Sequence, residues 1–503
     1  MQIAIDRQSD VPVYRQIVNR IRELILSRTL PDGFKLPPER RLAQDLGVNR
    51  STVLTAYREL KSLGLADAHV GRGTSVRVPA EPVQVAHEAA GLPWRQLFRE
   101  TVLHVQDPMV RDLLELTERS DVISLALGLP APELLPLDRL STLFNELVGE
   151  IGPQMLLHCP TEGHTPLREA LAAWMRSRGI ACSPSEVLVL SGSQQGLDLV
   201  VRALVDPGDV VVVEEPTYVG MLPVLRAAGA RVIGVPMDAE GMRIDVLETV
   251  LEHHRVKLIY TLPTFQNPSG AELNLERRRA LLELATDHQV PILEDDPYSE
   301  LCYDGNPLPS LKALDISGQV IYLSTLSKVL FPGMRLGFMT APRALIRQLA
   351  LLKQGIDLHA SSVGQRLLHR FIRDGHYEPY LETLREAYGG RRDVMDAALG
   401  EGLDTGLSWR RPRGGFYFWC RLPEGVERLQ LLAEARNAGV AYLPGEACFA
   451  EASAGPAYVR LNFSYCPPDQ IREGVNRFLE SVKRAMRVPR AQVNERVGMS
   501  PVV

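Results

Sequence analysis

Apolar positions recur at three-to-four spacing over residues 12–28, where Tyr14, Ile17, Ile21 and Leu24/Ile25 form one stripe and predict an amphipathic helix. Pro31-Asp32-Gly33 breaks that pattern. Two short helical patterns follow around Gly47. Leu42 and Leu46 share a face of the first, and Val53, Ala56, Tyr57 and Leu60 share a face of the second. Asn49 stands where that second helix needs an N-cap. After Gly64 the chain alternates and turns at Val70-Gly71-Arg72-Gly73, which predicts a hairpin.

Residues 79–110 carry no clean period and read as a linker with some helix around 93–105. From about 111 to 380, short β-branched runs alternate with helical stretches: VLVL (187–190), VVVVEE (210–215), RVIGV (231–235), KLIYT (257–261), VPILED (290–295) and VIYLST (320–325). That alternation predicts a mostly parallel sheet with helices on both faces. Residues 381–486 change character. Helices are expected near 380–400, 428–438 and 467–486, and strands at FYFWC and YVRLNFS, which together make a smaller α+β unit. Residues 487–503 read as a tail. The plan is multidomain: a helical head with a hairpin (1–78), a linker, an α/β body, and an α+β C-terminal domain. A chain of 503 residues needs such a division, because single cores stop growing well below that length.

Composition narrows the function classes. No run of apolar residues is long enough to span a bilayer, so no membrane partner is expected. The opening MQIAIDRQSD has neither a basic leader nor an apolar core, so a cytoplasmic protein is expected. The six cysteines are scattered without a CxxC pair, which argues against a zinc site and for reduced thiols; no metal is expected. The net charge of −5 conceals an asymmetry: residues 1–78 hold 13 Lys+Arg and 8 Asp+Glu, a balance of +5, so the rest carries −10. A basic head on an acidic body is the electrostatic footprint expected of a phosphate-backbone partner.

Two short helices around a tight glycine turn form the helix-turn-helix pattern, whose second helix brings its N-terminal residues to base edges. Arg50, Ser51 and Thr52 then face the bases, and Arg50 has the fork that matches guanine O6/N7. Arg40 and Arg41 suit phosphates, and Arg72, Gly73 and Thr74 form a tip that can approach a groove. The string PVYRQI…LPPERRLAQDLGVNRSTVLTAYRELKSLGL…GRGT resembles GntR-family winged-helix domains over residues 9–78. The resemblance implies DNA contacts from Arg40, Arg50, Ser51, Thr52, Arg72, Gly73 and Thr74.

In the body, chemistry-bearing residues collect at strand ends, where open α/β sheets bind ligands. VLVL runs into SGSQQG, so Gly192, Ser193 and Gln194 open a helix that suits a phosphate. EPTY follows the second strand and offers Tyr218 to a flat ring. PTFQNPSG carries Asn267, EDDPY carries Asp295 and Tyr298, and STLSK with FPGMRLG carries Thr325, Ser327, Lys328 and Arg335. These are the groups pyridoxal 5'-phosphate requires: a lysine to bond it, a carboxylate facing its ring nitrogen, donors for its phenolic oxygen, and a phosphate cradle.

Residues 120–486 resemble class I aminotransferases of PLP fold type I. The resemblance implies Lys328 as the catalytic, cofactor-bonding lysine and Asp295 at the ring nitrogen. It puts Asn267 and Tyr298 at the phenolic oxygen, Tyr218 on the ring, and Gly192, Ser193, Gln194, Thr325, Ser327 and Arg335 around the phosphate. It also implies Arg460 as the clamp for an amino acid's α-carboxylate and Gly128 in a substrate-closing loop. One departure stands out. Where the family often has a tyrosine that reaches the neighbouring subunit's phosphate, this chain has His158, which either donates to that phosphate or is a buried structural residue.

The combination resembles MocR-type regulators. It implies a domain-swapped homodimer that reads double-stranded operator DNA, with PLP and an amino acid or amine as effector. The alternatives are an active aminotransferase of the 2-aminoadipate/aromatic branch with an accessory DNA-binding head, and a sensor of PLP alone.

Overall fold

The computed structural model describes residues 5, 12–26, 30–62, 65–69, 73–77, 121–450 and 457–487. The expected linker helix, the tail from 488 and Arg72 lie outside these residues. The chain divides into two compact units, Met1–Leu97 and Phe98–Val503.

In the first unit, α1 (Val13–Leu26), α2 (Glu39–Leu46) and α3 (Arg50–Ser62) precede the antiparallel pair β1 (Ala66–His69) and β2 (Gly73–Val76). The predicted stripes meet in one core of Ile17, Ile21, Ile25, Leu42, Val53, Ala56, Tyr57 and Leu60. Gly47 ends α2 at φ 61°, a left-handed conformation that costs a side-chain-bearing residue free energy. Lys35 makes an isolated antiparallel bridge to Ser75 on β2.

The second unit is built on an eight-stranded sheet. After β3 (Ile123–Ser124) come β4 (Val187–Leu190), β5 (Val210–Glu215), β6 (Arg231–Asp238), β7 (Gly241–Met242), β8 (Val256–Thr261), β9 (Ile292–Asp296), β10 (Val320–Thr325) and β11 (Gly337–Thr340). The order across the sheet is β4-β11-β10-β9-β8-β5-β6-β7. All six predicted runs are strands. The apolar runs in β4, β9 and β10 are buried throughout, as expected of strands covered on both faces. Two members run antiparallel, β11 between β4 and β10, and β7 at the edge. Because β4 and β10 are both antiparallel to β11, they run the same way, so the C-terminal ends of β4, β5, β8, β9 and β10 share one edge.

A second sheet, in the order β12-β13-β16-β15, contains β12 (Ser408–Trp409), β13 (Tyr417–Arg421), β15 (Leu443–Pro444) and β16 (Tyr458–Asn462). It goes with the predicted C-terminal helices, observed at Tyr377–Gly400, Arg428–Asn437 and Pro468–Arg487. β14 (Val440–Ala441) pairs in parallel with β3. The start of the body is thereby sewn into its end: Asn462 N–H donates to the Leu125 carbonyl at 2.7 Å, and Leu125 N–H donates to Ala441 at 2.8 Å. Among the described residues, no helix is long and apolar enough to cross a membrane, and no group of three His, Cys, Asp or Glu is placed to hold a metal ion.

Candidate functional site

The shared strand edge gathers most of the expected residues. β4 ends at Leu190, Ser191 and Gly192 follow, and the helix Ser193–Leu204 starts after them. Gly192 has φ 89°, and a Cβ on it would sit 2.5 Å from Arg335 Nη2. Glycine is required twice over, for the turn and for the guanidinium beside it. Helix N–H groups, Arg335 and the hydroxyls of the Thr325 turn lie together here and could hold a dianion. Within that turn Thr325 Oγ1 lies 3.0 Å from Ser327 Oγ and accepts from Ser327 N–H at 3.2 Å. The Gln194 side-chain amide spends one of its two hydrogens on the Gly220 carbonyl at 2.7 Å.

Behind the cradle is a brace that the linear pattern did not reveal. Asp357 accepts from Ser191 Oγ at 2.7 Å, from Gln195 Nε2 at 2.8 Å and from the fully buried Lys353 Nζ at 2.6 Å. Burial would raise the Asp357 carboxyl, but these three donors hold it below the usual carboxylate range. A second brace is Glu214, buried on β5, which accepts from Thr261, Leu262 N–H and Gln266. Gln266 also donates to the Pro216 carbonyl at 2.7 Å, tying the loop of Asn267 to the loop of Tyr218.

Asp295 is next to last on β9 and is 2% exposed. Its Oδ2 accepts from Tyr260 at 2.9 Å, while its Oδ1 is buried without a partner. Desolvation pushes its pKa up to about 7, Asp296 adding to that against Tyr260 and Lys328. A buried acceptor without a donor is costly, and a protonated ring nitrogen is the kind of group that would satisfy it. Lys328 Nζ donates to the Gly128 carbonyl at 2.7 Å. Burial pushes its pKa down, with Arg460 and Arg335 working the same way against Tyr417 and Asp295. Tyr218 lies over Gly220, where a Cβ would come within 2.6 Å of its ring. Burial and the nearby Asp295 push its phenol up to about 12.

Arg460, on β16, is 6% exposed. Its Nη1 donates to Asn267 Oδ1 and its Nη2 to the Ala126 carbonyl, both at 2.8 Å, while its Nε is buried without a partner. Asn267 thereby keeps its amide nitrogen for another acceptor. The guanidinium lies over the Tyr417 ring at 4.1 Å. Tyr417 is the principal residue that sequence reasoning missed. Tyr298 donates to its hydroxyl at 3.1 Å, and a Cβ on Gly128 would fall 1.9 Å from that oxygen. Burial alone would raise the Tyr417 phenol, but Arg460, Lys328 and the Tyr298 bond bring it below its ordinary value. Its one signal was the FYFWC alternation. That pattern orders faces along a strand but does not identify which face meets Arg460.

His158 corrects one expectation. It is exposed, so it is not a buried structural histidine, and its Nδ1 lies 2.8 Å from Nε2 of His359. Bulk water on one side and a polar partner on the other satisfy it without a core.

In the head, Arg40 and Arg41 are exposed and have no ionic partner among the described residues. Arg50 opens α3 and forms a 3.2 Å ion pair with Glu39. Ser51 and Thr52 occupy the same first turn, Ser51 exposed and its carbonyl accepting from Thr55. Gly73 and Thr74 start β2, and the Thr74 carbonyl accepts from Leu36 N–H at 2.9 Å.

Comparison with known proteins agrees with both halves. Residues 13–76 match the family described as bacterial regulatory proteins, gntR family, and residues 135–478 match aminotransferase class I and II. The chain is 42% identical to aromatic-amino-acid aminotransferase 1 of Thermococcus litoralis over 80% of this chain and 97% of that one. It is 31% identical to the probable rhizopine catabolism regulatory protein MocR of Rhizobium meliloti, over 94% of each chain. The solved kynurenine aminotransferase of Pyrococcus horikoshii, crystallised with PMP, superposes with a TM-score of 0.75 at 40% identity, covering 79% of this chain and 99% of its own. A gntR-type head and a body of the aminotransferase class I and II family, matched to regulators along nearly the whole chain, place this protein in the MocR-type family of PLP-binding transcriptional regulators.

Proposed function

We propose that this regulator binds operator DNA through its head and that its body detects an amino acid or amine at a PLP site held by Lys328. The observation that carries the reading is a pair of buried, unpartnered groups in the same site, the acceptor Asp295 Oδ1 and the donor Arg460 Nε. A cofactor ring nitrogen answers the first and an α-carboxylate answers the second. When bound, the cofactor supplies an electrophilic carbon and an electron-withdrawing ring. Lys328, its ammonium disfavoured by burial, would hold that carbon, with Asp295 at the ring nitrogen and Tyr218 on the ring face. Asn267 would donate its amide to the phenolic oxygen, Tyr298 would join it by turning its hydroxyl from Tyr417, and Gly192, Ser193, Thr325, Ser327 and Arg335 would hold the phosphate.

The functional unit is a pair of chains. Leu137, Phe144 and Val148 on the helix Leu137–Ile151 are exposed apolar residues, as are Leu156 and Leu157, which precede His158 in the chain. Surfaces of this kind mark interfaces, and a second copy covering them would bring His158 to its neighbour. An amino acid at the cofactor, its α-carboxylate on Arg460, would act on DNA affinity through whichever conformation of the body it favours. A coupling of about 1–3 kcal/mol between that state and DNA is enough for control.

The intact lysine and arginine set favours a second reading, turnover as an aminotransferase. One experiment separates the two. The PLP-loaded protein is scanned with amino acids while its visible spectrum and keto-acid release are followed, and DNA affinity is measured in parallel. A spectral change that alters DNA affinity without keto acid supports effector binding. Stoichiometric keto acid followed by turnover with a second keto acid supports the enzyme. Unchanged DNA affinity under every amino acid overturns the sensing role.

A further inference from the structure

We propose that Glu39 positions Arg50 for base reading, so that the head's discrimination at one guanine depends on a carboxylate with no base contact of its own. The inference rests on the reading that the head binds DNA.

Arg50 is the first residue of α3, and the N-terminal residues of the second helix in this motif are the ones that reach base edges. Its side chain is 57% exposed and would lose rotamer freedom on docking. Glu39, 11 residues earlier, restrains it: Nε and Nη2 of Arg50 both donate to Glu39 Oε2, at 3.3 and 3.2 Å. This grip uses one edge of the guanidinium. The opposite end, Nη1 with the outer hydrogen of Nη2, stays free, and that is a fork able to span guanine O6 and N7.

Glu39 is itself fixed. It is the first residue of α2, where unpaired N–H groups and the helix dipole favour a carboxylate, and Pro38 before it provides no side-chain cap. The approach to α2 is pinned to α3 by Tyr57, which is 4% exposed and donates to the Pro37 carbonyl at 2.7 Å. The carboxylate therefore keeps its place relative to the helix that carries Arg50. Arg40 and Arg41, exposed and without ionic partners among the described residues, have no such restraint and suit phosphates, which tolerate loose geometry.

Two effects of opposite sign follow. Near DNA the Glu39 charge opposes every phosphate, so it weakens non-specific binding. By holding the fork it strengthens only the complex in which the fork meets its base. A pair that merely supported the fold would move neither quantity apart from the other.

The test uses the full-length, PLP-loaded protein. Its probes are the tightest duplex that the wild type selects from a random-sequence pool and a scrambled duplex of equal length, at one fixed salt concentration. The isosteric Glu39→Gln should lower the specific-to-scrambled affinity ratio about 10-fold, with scrambled binding unchanged or tighter. In an Arg50→Ala background the same substitution should leave the ratio unchanged. An unchanged ratio in Glu39→Gln overturns the inference, as does a parallel fall on both duplexes or an equal loss in the Arg50→Ala background. If the wild type binds both duplexes equally, the DNA-reading role fails and takes this inference with it. If Arg50→Ala keeps full discrimination, the inference is overturned while the DNA-reading role stands.

Discussion

Arg50 in the head and Arg460 in the body, each proposed to grip a ligand through its guanidinium fork, stand under opposite conditions. Arg50 is exposed and held by one carboxylate edge, with water on the remaining sides. Arg460 is buried, held by Asn267 and the Ala126 carbonyl, and laid on Tyr417. The body holds its charges desolvated and in fixed geometry, where each would count for more toward a ligand. The head uses exposed charges that salt screens more strongly. Selectivity for a small ligand needs the first arrangement, and reversible binding to a long polyanion needs the second.

The comparison can be broken at its strongest point first. Lys328→Ala should abolish the visible absorption of protein-bound cofactor; if the band survives, another lysine bonds it. Next, Asp295→Asn leaves the ring nitrogen without a charge partner, and PLP affinity should fall about 100-fold by equilibrium dialysis. This site also predicts a pH effect. The Asp295 pKa of about 7 lies above the ordinary aspartate value, so the native cofactor-free body binds a proton that the unfolded chain has released. Its contribution to stability is thus full below about pH 4 and is lost as pH rises through about 7. The thermal midpoint of the cofactor-free wild type should fall more steeply across that window than that of Asp295→Asn; equal slopes would contradict the assignment.

Smaller effects sharpen the contrast. Arg460→Lys keeps the charge but loses the fork, and amino acid affinity should drop about 30-fold while cofactor affinity holds, by titration of the visible spectrum. Tyr417→Phe removes a hydroxyl and keeps the ring under Arg460, so a change of only about 5-fold in amino acid affinity is expected. In the head, Arg40→Ala and Arg41→Ala should each reduce the slope of log affinity against log salt by about 1, with sequence preference retained. A lost preference would move those residues from phosphate to base.

Much of this was legible in the chain. The three head helices follow from stripes at helical spacing, and Gly47 marks their tight turn. The buried strands follow from β-branched runs, and the residues after them gather at one edge because parallel strands present their C-terminal ends together. Less legible was everything that depends on which strands are neighbours. Gly337–Thr340 enters between β4 and β10 in the reverse direction, and a strand of four residues carries no mark of direction. Gln194 sat in the right loop, yet its amide turned to Gly220 because that carbonyl lies within reach only after folding.

The sequence by itself determined the two-part plan and the reactive groups. Lys328, Asp295, Asn267 and Arg335 stand in motifs whose residue types are dictated by local turns and by the chemistry they serve. Only the tertiary structure decided how those groups are tuned. Arg460 lies 193 residues from Asn267, Ser191 lies 166 from Asp357, and Tyr417 lies 119 from Tyr298. Desolvation and charge coupling act through space over a few ångströms, so the groups that shift Lys328 and Asp295, or hold Arg50 against Glu39, are set by packing rather than by position in the chain.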